Sequence, residues 1–177
     1  MKEFKINKND SGQRVDKFIP KTVPKLPKSL LYKYIRLKRI KVNKKRCEIS
    51  QVLAENDMVE MYINDEFFEI KKNTEFLTIN SSLNIIYEDE NILIVNKPAG
   101  TDVHRGSQNN KETLIDIIKS YLYQKNEYNP DEENSFSPAI CNRLDRNTTG
   151  LVIAAKNAQS LREINERIRS REIVKKY

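Results

Sequence analysis

The chain has 177 residues, with 32 Lys and Arg against 25 Asp and Glu, and a formal net charge of +7. That length holds one ordinary domain or two small ones. Its two cysteines, Cys47 and Cys141, and its single His104 cannot supply a four-ligand structural zinc site or a disulfide framework. No apolar run approaches the roughly 20 residues of a membrane span, and no signal-peptide core follows Met1, so the expectation is a protein of the reducing cytoplasm with no membrane partner.

Charge is unevenly placed. Residues 1–50 carry sixteen Lys and Arg against four Asp and Glu, and the other 127 carry sixteen against twenty-one. A basic front on a mildly acidic body points to a module that meets a polyanion, joined to one with another task. A merely solvated basic face is the plain alternative.

Residues 13–63 read as a compact α/β module. Val15, Phe18 and Ile19 fall at helical spacing, and Pro24 and Pro27 then interrupt. Ser29 fits the cap of a second helix whose buried stripe is Leu30, Leu31, Tyr34 and Ile35. Short strands are expected at 40–43 and 58–63. Nine cations fill the remaining positions of helix two and the loop after it: Lys28, Lys33, Arg36, Lys38, Arg39, Lys41, Lys44, Lys45 and Arg46. Each one that neutralises a phosphate releases counterions, which supplies grip and orientation rather than base choice. Tyr32 and Tyr34 offer rings for stacking on bases, but at their spacing at least one faces the core.

Residues 64–82 are mixed in charge and lack a sustained period, as a linker with at most one bordering strand does. From 83 onward the pattern is α+β. A strand at 92–95 ends at Lys97-Pro98-Ala99-Gly100. A helix at 112–124 has Leu114, Ile115, Ile117, Ile118, Tyr121 and Leu122 on its inner face. An acidic loop at 126–137 leads to an apolar strand at 151–155. Asn157 caps a helix to about Ser170 with Leu161, Ile164 and Ile168 inward, and another strand starts at Ile173.

Between the acidic loop and the apolar strand runs Arg143-Leu-Asp-Arg-Asn-Thr-Thr-Gly-Leu151. Asp145 stands between two arginines, and nearby positive charge favours the ionised carboxylate. An ionised Asp at a strand edge can serve as a nucleophile, as a charge that repels phosphate, or as a structural anchor. Asp, Asn and Thr also crowd ordinary turns, and Gly150 supplies unusual dihedrals, so these residues by themselves leave the choice open.

Residues 142–151, NRLDRNTTGL, resemble the catalytic motif of the RluA-type RNA pseudouridine synthases. Two more segments resemble that family in its order: residues 83–107, with KPAG and a following Val-His, and residues 171–177, REIVKKY, with a K-x-Y. The strand end Ala154-Ala155-Lys156-Asn157 is closer to the RluA type than to the sister RsuA type. Residues 14–19, 30–43 and 55–61 resemble the small RNA-binding domain first known from ribosomal small-subunit protein four. That domain usually has Gly or a small residue at the position of Lys38, and Gly-Asp at Asn56-Asp57.

The resemblance implies an α+β protein: a small basic α/β RNA-binding domain over 1–63, a linker over 64–82, and the first part of a mixed-sheet catalytic domain over 83–177. It implies conversion of uridine to pseudouridine in ribosomal or transfer RNA, without metal or cofactor; neither a P-loop nor a dinucleotide fingerprint is present. Asp145 is then the nucleophile, at the anomeric carbon or at carbon 6 of uracil. Arg143 fills the gap left by the flipped base and touches phosphates, and Tyr177 stacks on the base. Thr148, Thr149 and Gly150 shape the turn. His104 is expected to be structural, and Lys97 structural or phosphate-facing. The family's domain continues past its K-x-Y to an arginine-bearing segment, which leads to the expectation of a C-terminally truncated chain. The alternative is a truncated, inactive RNA-binding protein associated with ribosomal RNA.

Overall fold

A computed structural model describes residues 1–69, 74–79, 82–105, 112–174 and 176. The chain divides into two compact units: one of Met1–Lys72 with Pro130–Phe136, the other of Asn73–Asn129 with Ser137–Tyr177. No helix among the described residues is long and apolar enough to cross a membrane.

The first unit is a four-stranded antiparallel sheet under two helices. Strands β1 (Lys2–Lys5), β2 (Ile40–Val42), β3 (Lys45–Arg46) and β4 (Met58–Met61) lie in the order β1-β4-β2-β3. Helix α1 spans Val15–Thr22 and α2 spans Lys28–Arg36. Val15, Phe18 and Ile19 of α1 and Leu31 and Ile35 of α2 join Ile40, Val42, Val59 and Met61 in one core, with Leu30 and Tyr34 half-buried against it. Strand β1 escaped the sequence reading because its four residues bury only Phe4. The cap of α2 also differs from expectation. Pro27 holds the cap position at φ −62°, and its carbonyl accepts the first helical bond from the Leu31 amide at 2.9 Å; Ser29 therefore sits inside the first turn, two places too late to cap it.

Unusual backbone occurs where the resembled domain has small residues. Lys38 and Asn56 adopt φ of +59° and +70°, a region that costs ordinary residues roughly 1–2 kcal/mol. Asn43 and Lys44 are both left-handed, at +52° and +65°, and Val42 pairs with Lys45. That is a two-residue hairpin of the type whose twist matches its strands. The Asn43 side chain fastens it, donating to Asp57 at 2.7 Å and accepting from the Met58 amide at 2.8 Å. Residues 130–136 join this unit through Asp10, whose buried carboxylate accepts from Asn134 Nδ2 at 2.7 Å and Ser135 Oγ at 2.5 Å.

The segment 64–82 holds two short 3-10 turns, 65–68 and 75–78, and no strand among its described residues. Phe76 and Ile79 are core residues of the second unit. There, β5 (Ile85–Glu88), β6 (Ile92–Lys97), β7 (Ala139–Ile140) and β8 (Gly150–Ala155) form an antiparallel sheet ordered β5-β6-β8-β7. Leu93, Val95, Val152 and Ala154 alternate onto one face and are wholly buried. Helix α3 (Leu114–Gln124) packs there through Leu114, Ile118 and Leu122. Asn157 caps α4 (Ala158–Arg169), its side chain accepting from the Ser160 amide at 2.8 Å. Leu161, Ile164 and Ile168 of α4 are only half-buried, and Ile168 lines an apolar groove with Ile94, Ile153 and Ile173. Of the strand expected from Ile173, the described residues Ile173, Val174 and Lys176 are not in a strand, and 175 and 177 lie outside the described residues.

One ionic knot fastens the second unit. Glu88, at the end of β5, accepts from Lys125 Nζ at 2.7 Å, Lys156 Nζ at 3.0 Å and Tyr121 OH at 2.7 Å. Glu127 pairs with the same two lysines. Burial works against the Glu88 charge, but the hydrogen bonds from Lys125, Tyr121 and Lys156 outweigh it and hold the pKa down at about 2. A carboxyl depressed in the folded state contributes stability above its unfolded pKa and loses it as pH falls toward the folded one. Glu88→Gln should therefore be less stable than the parent at neutral pH, with the gap closing between pH 4.5 and about 2. Urea unfolding along that pH range reads it; parallel acid limbs would remove Glu88 from the account.

Candidate active site

Asp145 lies on the excursion that joins β7 to β8, and the entrance of that excursion is pinned to β8. The Cys141 amide donates to the Ile153 carbonyl at 2.8 Å. The Asn142 side chain then continues the ladder, donating to Leu151 O at 3.0 Å and accepting from Ile153 N at 2.8 Å. At the exit, the Thr148 amide donates to the Asp145 carbonyl at 3.0 Å, which closes a tight turn. Gly150 comes next at φ +143°, and an added Cβ would lie 3.3 Å from Leu144 Cδ1. Both the dihedral and the crowding favour glycine.

The middle of the excursion is tied to the turn after β6. The Gly100 amide donates to the Arg146 carbonyl at 2.9 Å, and Arg146 Nε donates to the Gly100 carbonyl at 3.2 Å. Beneath them lies Lys97, wholly buried. Its Nζ donates to Pro98 O at 3.0 Å, Thr101 O at 3.0 Å and Arg146 O at 2.9 Å. Burial excludes the phosphate-facing role considered for Lys97. Alternation along β6 places it inward with Leu93 and Val95, a signal already present in the sequence. Nothing in the sequence marked Asn142 as the residue that extends the ladder.

The loop opens on a cleft of about 750 Å³ whose lining includes Asp102, His104, Arg105, Arg143, Asp145 and Arg146. Asp145 and Arg143 are exposed there. Among the described residues, no arginine comes within ion-pair distance of Asp145; Arg146 is turned to the Gly100 carbonyl instead. Arg105 is anchored, with Nε at 3.2 Å from Asp116 and Nη1 at 2.5 Å from Glu75. Arg143 has no ion pair among the described residues. Burial, then the charges of Arg143 and Lys119, push the His104 pKa below its ordinary value, against the opposing pull of Asp116. The imidazole is therefore neutral at pH 7. Burial raises the Cys141 thiol to about 11, so it is no nucleophile.

Of the three residues expected to act on the base, the structure brings Asp145 and Arg143 to one cleft, and Tyr177 lies outside the described residues. The nine cations belong to the first unit. Eight are exposed and Lys41 is half-buried, and none forms an ion pair among the described residues. Arg39 lies 5.7 Å from the Tyr34 ring centroid and Lys41 5.2 Å from that of Tyr62. Tyr34 packs on the core, as its spacing required, and Tyr32 is 39% exposed.

Residues 91–177 match the family described as RNA pseudouridylate synthase. The whole chain is 42% identical to a Mycoplasma capricolum protein named "Uncharacterized RNA pseudouridine synthase", spanning 57% of that protein. Over 97% of its length it is 36% identical to the "Ribosomal large subunit pseudouridine synthase C" of Buchnera aphidicola subsp. Baizongia pistaciae, and 30% identical to that of Vibrio parahaemolyticus. It spans 52% of each of these two relatives. The chain thus spans about half the length of the curated relatives it matches.

Asn142→Ala tests the entrance to the excursion. It strips partners from the Ile153 amide and the Leu151 carbonyl, a loss of about 1–3 kcal/mol where such groups are left unsatisfied. Amide exchange at Ile153 should accelerate, while Leu93 and Val95 in the adjoining strand stay protected. Unchanged exchange at Ile153 would mean that water replaces the side chain without cost.

Proposed function

We propose that the protein is an RNA pseudouridine synthase acting on ribosomal RNA in the cytoplasm, with Asp145 as its nucleophile. The observation that carries this reading is an exposed carboxylate, unpaired with arginine, on a loop fastened at both ends and in the middle. It lies within the stretch that matches the pseudouridine synthase family. A nucleophile needs both properties: access for the reacting carbon and a fixed position.

The target nucleotide first leaves its stack, at a cost of a few kcal/mol that is least in loops and irregular RNA. Asp145 attacks the anomeric carbon or carbon 6 of uracil, the bond between sugar and base nitrogen breaks, and the base turns. A new bond forms from the anomeric carbon to carbon 5, the bond to Asp145 breaks and frees the carboxylate, carbon 5 loses its proton and the ring nitrogen gains one. The sum is an isomerisation with no oxidant, reductant or leaving group. Arg143, without a carboxylate partner among the described residues, fills the space the base vacated and meets a phosphate. Tyr177 lies against the turned base.

The first unit serves as an RNA-binding domain like that of ribosomal small-subunit protein four. Its nine cations line α2, the turn after it and the β2–β3 hairpin, available for phosphate because none forms an ion pair among the described residues. Ribosomal rather than transfer RNA is the favoured substrate because the Buchnera and Vibrio relatives bear ribosomal names.

Two variants separate chemistry from grip. Asp145→Asn keeps the size of the side chain but is a very poor nucleophile, so pseudouridine formation should fall at least about 1,000-fold with RNA affinity nearly unchanged. Lys38, Lys44 and Lys45 changed together to Ala should weaken binding across many RNA sequences and flatten its salt dependence, with turnover at saturating RNA retained. Chemical marking of pseudouridine in ribosomal RNA, together with binding measured from about 50 to 200 mM salt, reads both. A parent protein that binds RNA and forms no pseudouridine overturns the enzymatic reading in favour of an RNA-binding one.

A further inference from the structure

Helix α2 carries two rings that its spacing leaves open to stacking, and the structure separates them. Tyr34 packs on the core, with Arg39 over its ring. Tyr32 lies outside that core and is exposed. A single exposed tyrosine is ordinary on a protein surface, so its surroundings decide what it does. The other described tyrosines each have a partner. Tyr62 stands under Lys41, Tyr87 donates to Asp89, Tyr121 donates to Glu88, and Tyr123 and Tyr128 lie against Phe76. Among the described residues, Tyr32 alone of the tyrosines has no hydrogen bond, ring contact or cation of its own.

Its neighbours along the helix are cations. Lys28 and Arg36 stand four residues before and after Tyr32, positions that adjoin it on a helix surface. Both are exposed, and α2 carries no acidic residue. A row of cation, ring and cation thus runs along one exposed face, over about 12 Å at 1.5 Å per residue. The cations suit phosphates, whereas the flat face of the ring suits the face of a base. In a paired helix each base is already covered by its stacked neighbours. The ring can therefore be met only by a base in a loop, a bulge or an end.

We propose that Tyr32 stacks on an unpaired base of the RNA while Lys28 and Arg36 hold the phosphates on either side of it. This rests on the reading of the first unit as an RNA-binding domain. The cations by themselves grip any phosphate backbone, paired or not; the ring adds a preference for irregular RNA. Stacking tolerates every base, so the preference is for an unpaired base and not for a sequence. Irregular RNA is also where a target nucleotide leaves its stack at least cost. The first unit then selects the kind of substrate that the proposed reaction needs.

The experiment measures binding of the full chain to an RNA hairpin with an unpaired loop and to a fully paired RNA of equal length. The parent should bind the hairpin more tightly. Tyr32→Leu should weaken hairpin binding about 5- to 100-fold, the range for loss of one base stack, and leave binding of the paired RNA nearly unchanged. Its salt dependence should match the parent's, because the phosphate contacts remain. Tyr32→Phe, which keeps the ring, should restore the preference for the hairpin. The chain has no tryptophan, so Tyr32→Trp introduces a single reporter, whose fluorescence should be quenched by the hairpin and not by the paired RNA. Equal binding of both RNAs by the parent, unchanged hairpin affinity in Tyr32→Leu, or unquenched fluorescence of Tyr32→Trp on bound hairpin overturns the stack and leaves the RNA-binding reading standing. A parent that binds neither RNA overturns that reading, and the stack with it. Should Tyr32→Leu fail to fold, the fluorescence of Tyr32→Trp decides alone.

Discussion

Antiparallel pairing of β6 with β8 is the constraint on which the candidate site depends. Its register sets Lys97 opposite Gly150, so the end of one strand meets the start of the other. The turn leaving β6 and the excursion entering β8 must then emerge side by side. Gly150 lets the second chain arrive at a dihedral that other residues avoid. Given that register, the bonds of Lys97 and Gly100 to one carbonyl are short local closures with little added entropy to overcome. Slipping the register by one residue would turn Lys97 to the other face of the sheet and remove the fastening altogether.

Much of this was legible because periodicity reports burial directly. The stripe at Leu31 and Ile35 and the runs Ile92–Val95 and Leu151–Ala155 each place alternate or helical-spaced apolar residues against one core. The Asn157 cap was legible too, since its side chain acts on its own chain three residues on. What stayed hidden depends on partners distant in sequence. Strand β1 exists because Lys2–Lys5 lies along Met58–Met61, and Pro130–Phe136 joins the first unit because Asp10 collects it. The site divides the same way. Asp145 and Arg143 were marked by their own motif, whereas the ties from Asn142 and Lys97 cross strands and loops and leave no local pattern.

Charge in the molecule is sorted by its compensation. Lys125, Lys156 and Arg105 are each neutralised by carboxylates of their own unit, and these pairs close the fold at the ends of β5, β8 and α3. Arg143 and the nine cations of the first unit form no such pair among the described residues. Exposed ion pairs contribute little to stability, so leaving surface cations unpaired sacrifices little of the fold. It keeps their charge available to a polyanion instead, with the counterion release that makes such binding steep in salt.

Lys97 belongs to neither group, and its placement explains why. A surface cation near Asp145 would be screened by water and would compete for the phosphates that the proposed substrate brings. A carboxylate partner would cancel its field. Held by carbonyls alone, the ammonium satisfies all three of its donors on the main chain of the two loops. The arrangement separates two tasks that one arginine beside Asp145 would have to combine. Lys97 ties the Asp145 loop to the turn after β6 from within the core, while Arg143 lines the cleft and Arg146 is turned toward Gly100. On the proposed reading, the loop that bears the nucleophile is then already in place before RNA arrives, and the free arginine is not spent on holding it there.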